Sequence, residues 1–175
     1  MGSWKRKQLS TMKKISFLLA AIILFAASCK KEDNCPYTES TRSASAEERT
    51  YLANYVQANS ITATEHSSGV FYSIVTPGTG ANPTICSGIN MRYRGTLIPT
   101  GAEFDATPGT STASFQLGEL IIGWQKALPL IKAGGKIVLY IPPSLAYGAQ
   151  EIRNPSTGAV LIPANSYLKF EIELV

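Results

Sequence analysis

Three stretches decide the fold: Met91–Ala106 (MRYRGTLIPTGAEFDA), Ser114–Gly148 (SFQLGELIIGWQKALPLIKAGGKIVLYIPPSLAYG) and Leu161–Val175 (LIPANSYLKFEIELV). In the last, Leu168, Phe170, Ile172 and Leu174 alternate with Lys169, Glu171 and Glu173. That period of two predicts a strand with one face on a core and the other in water. Ile89 to Leu97 reads as a second strand, closed by a turn at Pro99-Thr100-Gly101, and Ser114 to Leu117 as a short third. Gly134-Gly135 supplies a permissive turn into a strand at Lys136 to Ile141. Between them, Gly123 to Leu128 has room for about two helical turns before Pro129 removes a backbone donor. Upstream, Val70 to Val75 is β-rich and breaks at Thr76-Pro77-Gly78. The expected fold is α+β, an antiparallel β-sheet wrapped around one short α-helix. Tyr93, Phe104, Phe115, Trp124, Tyr147 and Phe170 come from separate segments, and one domain of this kind is expected to bring several of them together around a single apolar cavity.

Working outward, Ser45 and Glu48 form an S-x-x-E capping box. Tyr51, Leu52, Tyr55 and Val56 then share a narrow helical face as far as about Asn59, so this N-terminal helix is expected to dock on the domain or on a partner. Ile61 to Ser68 is a polar connector holding the only histidine, His66, which has no partner residues in sequence and is read as a surface group. Lys30 to Ser45 is polar, contains Pro36 and reads as a flexible tether.

The net charge of +4 suggests an acidic partner until its distribution is considered. Lys5, Arg6, Lys7, Lys13 and Lys14 precede the apolar run Ile15–Ala27, in the manner of a secretory signal too short to span a bilayer comfortably. Met12 would serve equally as the start, and Arg6 spoils a myristoylation pattern. From Lys30 onward, 16 − 5 = 11 basic residues face 12 acidic ones, a net charge of −1, and nothing attracts nucleic acid. Ala26-Ala27-Ser28-Cys29 resembles a bacterial lipobox, departing from it at Ala26, and makes Cys29 the expected lipidation site and membrane anchor; soluble secretion is the alternative. Cys29-Lys30-Lys31-Glu32-Asp33 is similar to the surface-export signal of Bacteroidetes lipoproteins, although a solvated tether explains it equally. Cys35 and Cys86 are free to pair in an oxidising compartment, but sequence does not set their separation. The expected organisation is a signal peptide over 1–28, a tether over 29–45, a helical extension and connector over 46–68, and one domain over 69–175.

Tyr93-x-Gly95, Gly101-x-x-Phe104-Asp105, Phe115-x-Leu117-Gly118, Ile121-x-Gly123-Trp124, Ala133-Gly134-x-Lys136, Ile141-Pro142-Pro143, Ala146-Tyr147-Gly148 and Ile162-Pro163-x-x-x-x-Leu168-x-Phe170 stand in an order that resembles the FKBP-type peptidyl-prolyl cis-trans isomerases. The likeness runs from about Gly69 to the C-terminus, and the preceding helix is similar to the extension of lipoprotein members. It implies an isomerase of X–Pro bonds in exported or unfolded polypeptides, placed in the bacterial envelope, with macrolides as possible inhibitors and no cofactor or metal. By resemblance Trp124 is the cavity floor, Tyr93, Phe104, Leu120, Ile121 and Phe170 are walls, Tyr147 and the Ile162 backbone N–H donate to substrate carbonyls, and Asp105 sits at the rim bonded to Tyr93.

Plainer readings stand beside these. Phe115 serves as a core strand residue, Leu120 and Ile121 as packing, and Asp105 as a turn residue after Phe104. Ala113 takes a wall position often aromatic in the family, and Ala149 to Val160 is longer and more polar than in minimal members. The chemistry needs neither nucleophile nor metal, because a twisted amide has lost the resonance polarity of a planar one and is favoured in a dry apolar pocket. Two other classes remain: a prolyl-peptide-binding module with little turnover, and a structural envelope protein that dimerises through its N-terminal helix.

Overall fold

The computed structural model describes Cys35–Val175 as one compact unit; the basic head, the apolar run and Cys29 lie outside the described residues. In chain order the elements are helix α1 (Ala46–Ala58), strands β1 (Thr64–Glu65), β2 (Phe71–Thr76), β3 (Gly88–Ile98), β4 (Glu103–Ala106) and β5 (Ala113–Gln116), helix α2 (Ile122–Ala127), and strands β6 (Lys136–Ile141), β7 (Ile152–Arg153), β8 (Val160–Ile162) and β9 (Tyr167–Leu174). Single 3-10 turns flank α2 and precede Ala146.

The alternation in β9 organises the sheet. Leu168, Phe170, Ile172 and Leu174 are all buried, and β9 pairs antiparallel with β6 on one side and β3 on the other. The strand order is β1-β2-β6-β9-β3-β4, with β5 also joined to β3 and every pairing antiparallel. The opposite face carries the charges: Glu173 meets Arg92 at 3.2 Å and Lys136 at 3.4 Å, and Arg94 meets Glu103 at 2.7 Å. Exposed pairs of this kind contribute under about 1 kcal/mol each, so the buried face supplies the stability. Across it lies α2, whose Trp124 and Ala127, with Leu128 in the turn that follows, pack with Ile131, Leu139 and Ile141. Gly123 lets the helix approach closely, since a Cβ there would sit 2.6 Å from an Ile141 methyl.

The capping box forms as expected, Glu48 N–H donating to Ser45 Oγ at 3.2 Å and Ser45 N–H to Glu48 Oε2 at 2.9 Å. The same carboxylate receives the Ser144 N–H at 2.9 Å and the Ser144 hydroxyl at 2.6 Å, so one side chain caps α1 and fastens it to the domain. Burial raises its pKa, but the hydrogen bonds from Ser144 and Ser45 outweigh that and hold Glu48 below the ordinary carboxylate value. Leu52 and Val56 are buried against Phe71, Ile98 and Tyr140. Tyr51 stacks on Tyr167 with ring centroids 4.0 Å apart. The buried residues of α1 are thereby used within the chain.

Several local expectations change. Residues 61–68 include β1, and His66 is half-buried there, its Nδ1 2.8 Å from Ser68 Oγ and 3.1 Å from the Ser68 N–H that donates to it. Asp105, for which a turn is the plainer reading of the sequence, lies in a strand: Glu103–Ala106 pairs with Arg94–Thr96 as β4. The loop after Tyr147 folds on itself as the β7–β8 hairpin. The described part of the tether, from Cys35 to Ser45, lacks regular structure but is fixed. Cys35 is disulfide-bonded to Cys86 with Cα atoms 5.7 Å apart, Arg42 donates to the Ser144 carbonyl at 3.3 Å, and the Ala44 N–H donates to the Ser68 carbonyl at 2.8 Å.

Leu52→Ala is expected to lower unfolding stability by about 2–4 kcal/mol, as for a fully buried leucine, read from the urea midpoint. Reduction should add the mass of two hydrogens and remove the bridge, whose residues lie 51 apart; on the chain-entropy estimate this costs about 4 kcal/mol. Differential scanning calorimetry with and without reductant checks it.

Candidate functional site

On β3, Met91, Tyr93 and Gly95 point to one face of the sheet. Met91 fills the core, Tyr93 leans over α2, and Gly95 leaves a gap. A Cβ at Gly95 would sit 2.6 Å from Phe104 and 2.8 Å from Phe170, so the missing side chain is what admits both rings. Gly95 stands opposite Phe170 on β9 and Asp105 on β4. The rings then meet edge to face: Phe104 with Phe170 at 5.5 Å, Phe170 with Trp124 at 4.9 Å, Trp124 with Tyr93 at 5.5 Å and Tyr93 with Phe115 at 6.2 Å. Such contacts add about 0.5–1.5 kcal/mol each beyond area burial.

They enclose a cavity of about 240 Å³ lined by Tyr93, Phe104, Asp105, Phe115, Glu119, Leu120, Ile121, Trp124, Tyr147 and Phe170. Trp124 is only 4% exposed, and its indole N–H is buried without a partner among the described residues. Leaving such a donor unpaired costs about 1–3 kcal/mol, and the site retains the tryptophan despite it. At the rim the Tyr93 hydroxyl donates to Asp105 Oδ2 at 2.6 Å. Burial first, then this hydrogen bond, raises the Tyr93 phenol above its ordinary value. The Tyr147 phenol is raised as well, by burial and then by the charge of Asp105. Its hydroxyl makes no hydrogen bond to the described residues, which leaves it available to a ligand.

Of the residues singled out in the sequence, Tyr93, Phe104, Asp105, Leu120, Ile121, Trp124, Tyr147 and Phe170 all line this one cavity. Ile162 does not; it is buried in the β7–β8 hairpin opposite Ile152. Phe115, read as core, is half-buried and faces the cavity. Ala113 is half-buried beside Met91 and contributes no lining. Glu119 was missed, because an exposed acid after Gly118 has no periodic or motif signal. With Asp105 it gives the lining two carboxylates and no cation.

The family model described as FKBP-type peptidyl-prolyl cis-trans isomerase matches residues 80–175. The chain is 40% identical over 126 residues to the FKBP-type peptidyl-prolyl cis-trans isomerase FkpA of Buchnera aphidicola subsp. Acyrthosiphon pisum, covering 71% of this chain and 48% of that protein. It is 38% identical over 109 residues to the outer membrane protein MIP of Legionella longbeachae, covering 62% and 44%. The chain thus spans about half the length of the curated relatives it matches. Among solved structures, FkpA from Escherichia coli superposes with a TM-score of 0.61 at 37% identity, over 74% of this chain and 57% of that one. A peptidyl-prolyl cis-trans isomerase from Pseudomonas syringae gives 0.60 at 30% identity, over 78% and 97%.

Gly95→Ala is expected to displace the Phe104 and Phe170 rings, lower stability by about 1–3 kcal/mol as overpacking does, and shrink the cavity. Chemical denaturation, together with titration of a prolyl tetrapeptide that should bind more weakly, tests this.

Proposed function

The chain belongs to the FKBP-type peptidyl-prolyl cis-trans isomerase family, and on that premise we propose that it catalyses rotation about X–Pro bonds in exported or unfolded polypeptides. The observation that carries the reading is the ring-walled cavity over Trp124, with Asp105 and the free Tyr147 hydroxyl at its edge. A proline ring enters against the indole, displacing water from apolar walls. There the planar amide loses hydration that its resonance dipole enjoyed, while the twisted amide has less to lose, so the barrier falls relative to water.

Each polar group has a part. The Tyr147 hydroxyl donates to a carbonyl of the bound peptide and fixes it while the bond turns. The Asp105 carboxylate, held by Tyr93, faces the carbon end of the turning carbonyl and favours the twisted geometry electrostatically. The Ile162 backbone N–H is assigned as a second donor to the peptide. In support, the Asn165 N–H bonds the Gly148 carbonyl at 2.7 Å and so ties the end of the β7–β8 hairpin to the neighbour of Tyr147. No cofactor has a part in this chemistry. The same apolar pocket is proposed to accept macrolide inhibitors, as the family premise implies. An envelope location with Cys29 as lipid anchor is proposed from the leader sequence, with the naming of one relative as an outer membrane protein in support.

The protein should accelerate proline-limited refolding of a test substrate. Asp105→Ala and Tyr147→Phe should each lower kcat/KM about fivefold to tenfold or more, the scale of one lost hydrogen bond or charge contact. Peptide binding without any acceleration would instead identify a prolyl-peptide-binding module.

A further inference from the structure

Beside the aromatic cavity lies a shallow second hollow of about 530 Å³, whose polar walls are Asn90, Ser114 and Gln116. The two hollows share Phe115 and Glu119, so the Phe115 ring and the Glu119 carboxylate form the ridge between an apolar chamber and a polar one. Ser114 donates to Asn90 Oδ1 at 2.6 Å, which fixes the polar wall. Among the described residues β5 pairs with β3 alone, leaving its outer edge open to a chain that leaves the cavity in this direction.

Glu119 is exposed but held. Its Oε1 accepts the Tyr37 hydroxyl at 2.7 Å, and it makes no ion pair among the described residues. The Tyr37 ring lies against the bare backbone of Gly118, where a Cβ would sit 2.2 Å from its Cγ. Two residues before Tyr37, Cys35 is bridged to Cys86. A disulfide, a ring on a glycine and a hydroxyl therefore hold one carboxylate in place at the junction of the hollows. That carboxylate has no cation of its own, and the cavity lining offers none.

We propose that the second hollow is a subsite for the residue flanking the proline of a bound segment, that Glu119 selects a basic side chain there, and that Tyr37 is its positioning residue. This rests on the isomerase reading of the aromatic cavity and names the class of segment it prefers. The occupant is fixed by charge: a lysine or arginine beside the proline meets Glu119 and the nearby Asp105, whereas an acid meets both as like charges.

The test uses two series of prolyl tetrapeptides, one varied to Leu, Lys or Glu before the proline and the other after it, with kcat and KM measured for the mature protein. In at least one series Lys should be preferred to Glu by about threefold to tenfold, the size expected of a solvent-exposed ion pair. The difference should lie in KM and weaken with added salt. Glu119→Gln should bring the ratio close to one. Tyr37→Phe, which removes the hydroxyl that holds Glu119, and Gly118→Ala, which displaces the Tyr37 ring, should each reduce it. Because each ratio is taken within one variant, a partial loss of folded protein does not imitate the effect. Equal use of Lys and Glu peptides by the wild type in both series, or a ratio unchanged in Glu119→Gln, overturns the subsite. A ratio unchanged in Tyr37→Phe overturns the positioning role. Absence of turnover on every peptide, Leu included, overturns the isomerase reading instead; the ratio of Kd values from tryptophan fluorescence then decides the subsite by itself.

Discussion

The meeting of Trp124 with Tyr93 on one side and Phe170 on the other constrains the rest of the molecule. It requires α2 to lie across the concave face of the sheet, and it requires β3 and β9 to be neighbours in one register. It also requires an empty position at Gly95, because a methyl group there would strike both Phe104 and Phe170. The alternation of β9 supplies Phe170, the closeness of Gly123 to Ile141 sets the depth of the helix, and the cavity is the volume these constraints leave unfilled. Interiors packed to crystal density tolerate few such voids. This one is kept open by rigid rings that brace each other and cannot collapse as aliphatic chains would.

Around that chamber the two carboxylates are each tied. Asp105 is held by Tyr93, and Glu119 by Tyr37. In each pair a tyrosine hydroxyl satisfies one oxygen of a carboxylate and leaves the charge uncancelled. A lysine in either place would neutralise the rim. The phenol restrains the acid without doing so, and the site presents negative potential to whatever enters.

The N-terminal part is more than a lead-in to the sheet. Glu48 joins the capping of α1 to Ser144, immediately before the segment that carries Tyr147. Arg42 reaches the carbonyl of the same Ser144, and the Cys35–Cys86 bridge brings the chain past Gly118. Helix, disulfide and arm thus brace two sides of the cavity from outside it.

The amino-acid sequence by itself determined the strand at Lys136–Ile141, the two-faced final strand, the short helix stopped by Pro129 and the capping box at Ser45. Each rests on local periodicity or on the stereochemistry of a few neighbouring residues. It also designated eight of the ten cavity residues as site groups, because aromatic residues beside glycines in a fixed order carry a family resemblance. Tertiary structure alone decided the remainder. Phe115 left the core for the cavity, since the face of β5 depends on its register with β3. Glu119 became a rim group only when Tyr37, 82 residues away in sequence, folded back over Gly118. Cys35 found Cys86, and β7 found β8 inside a polar loop, through closures that depend on distance in space. Local patterns encode which way a side chain faces along its own element; they carry no record of which distant element will come to face it.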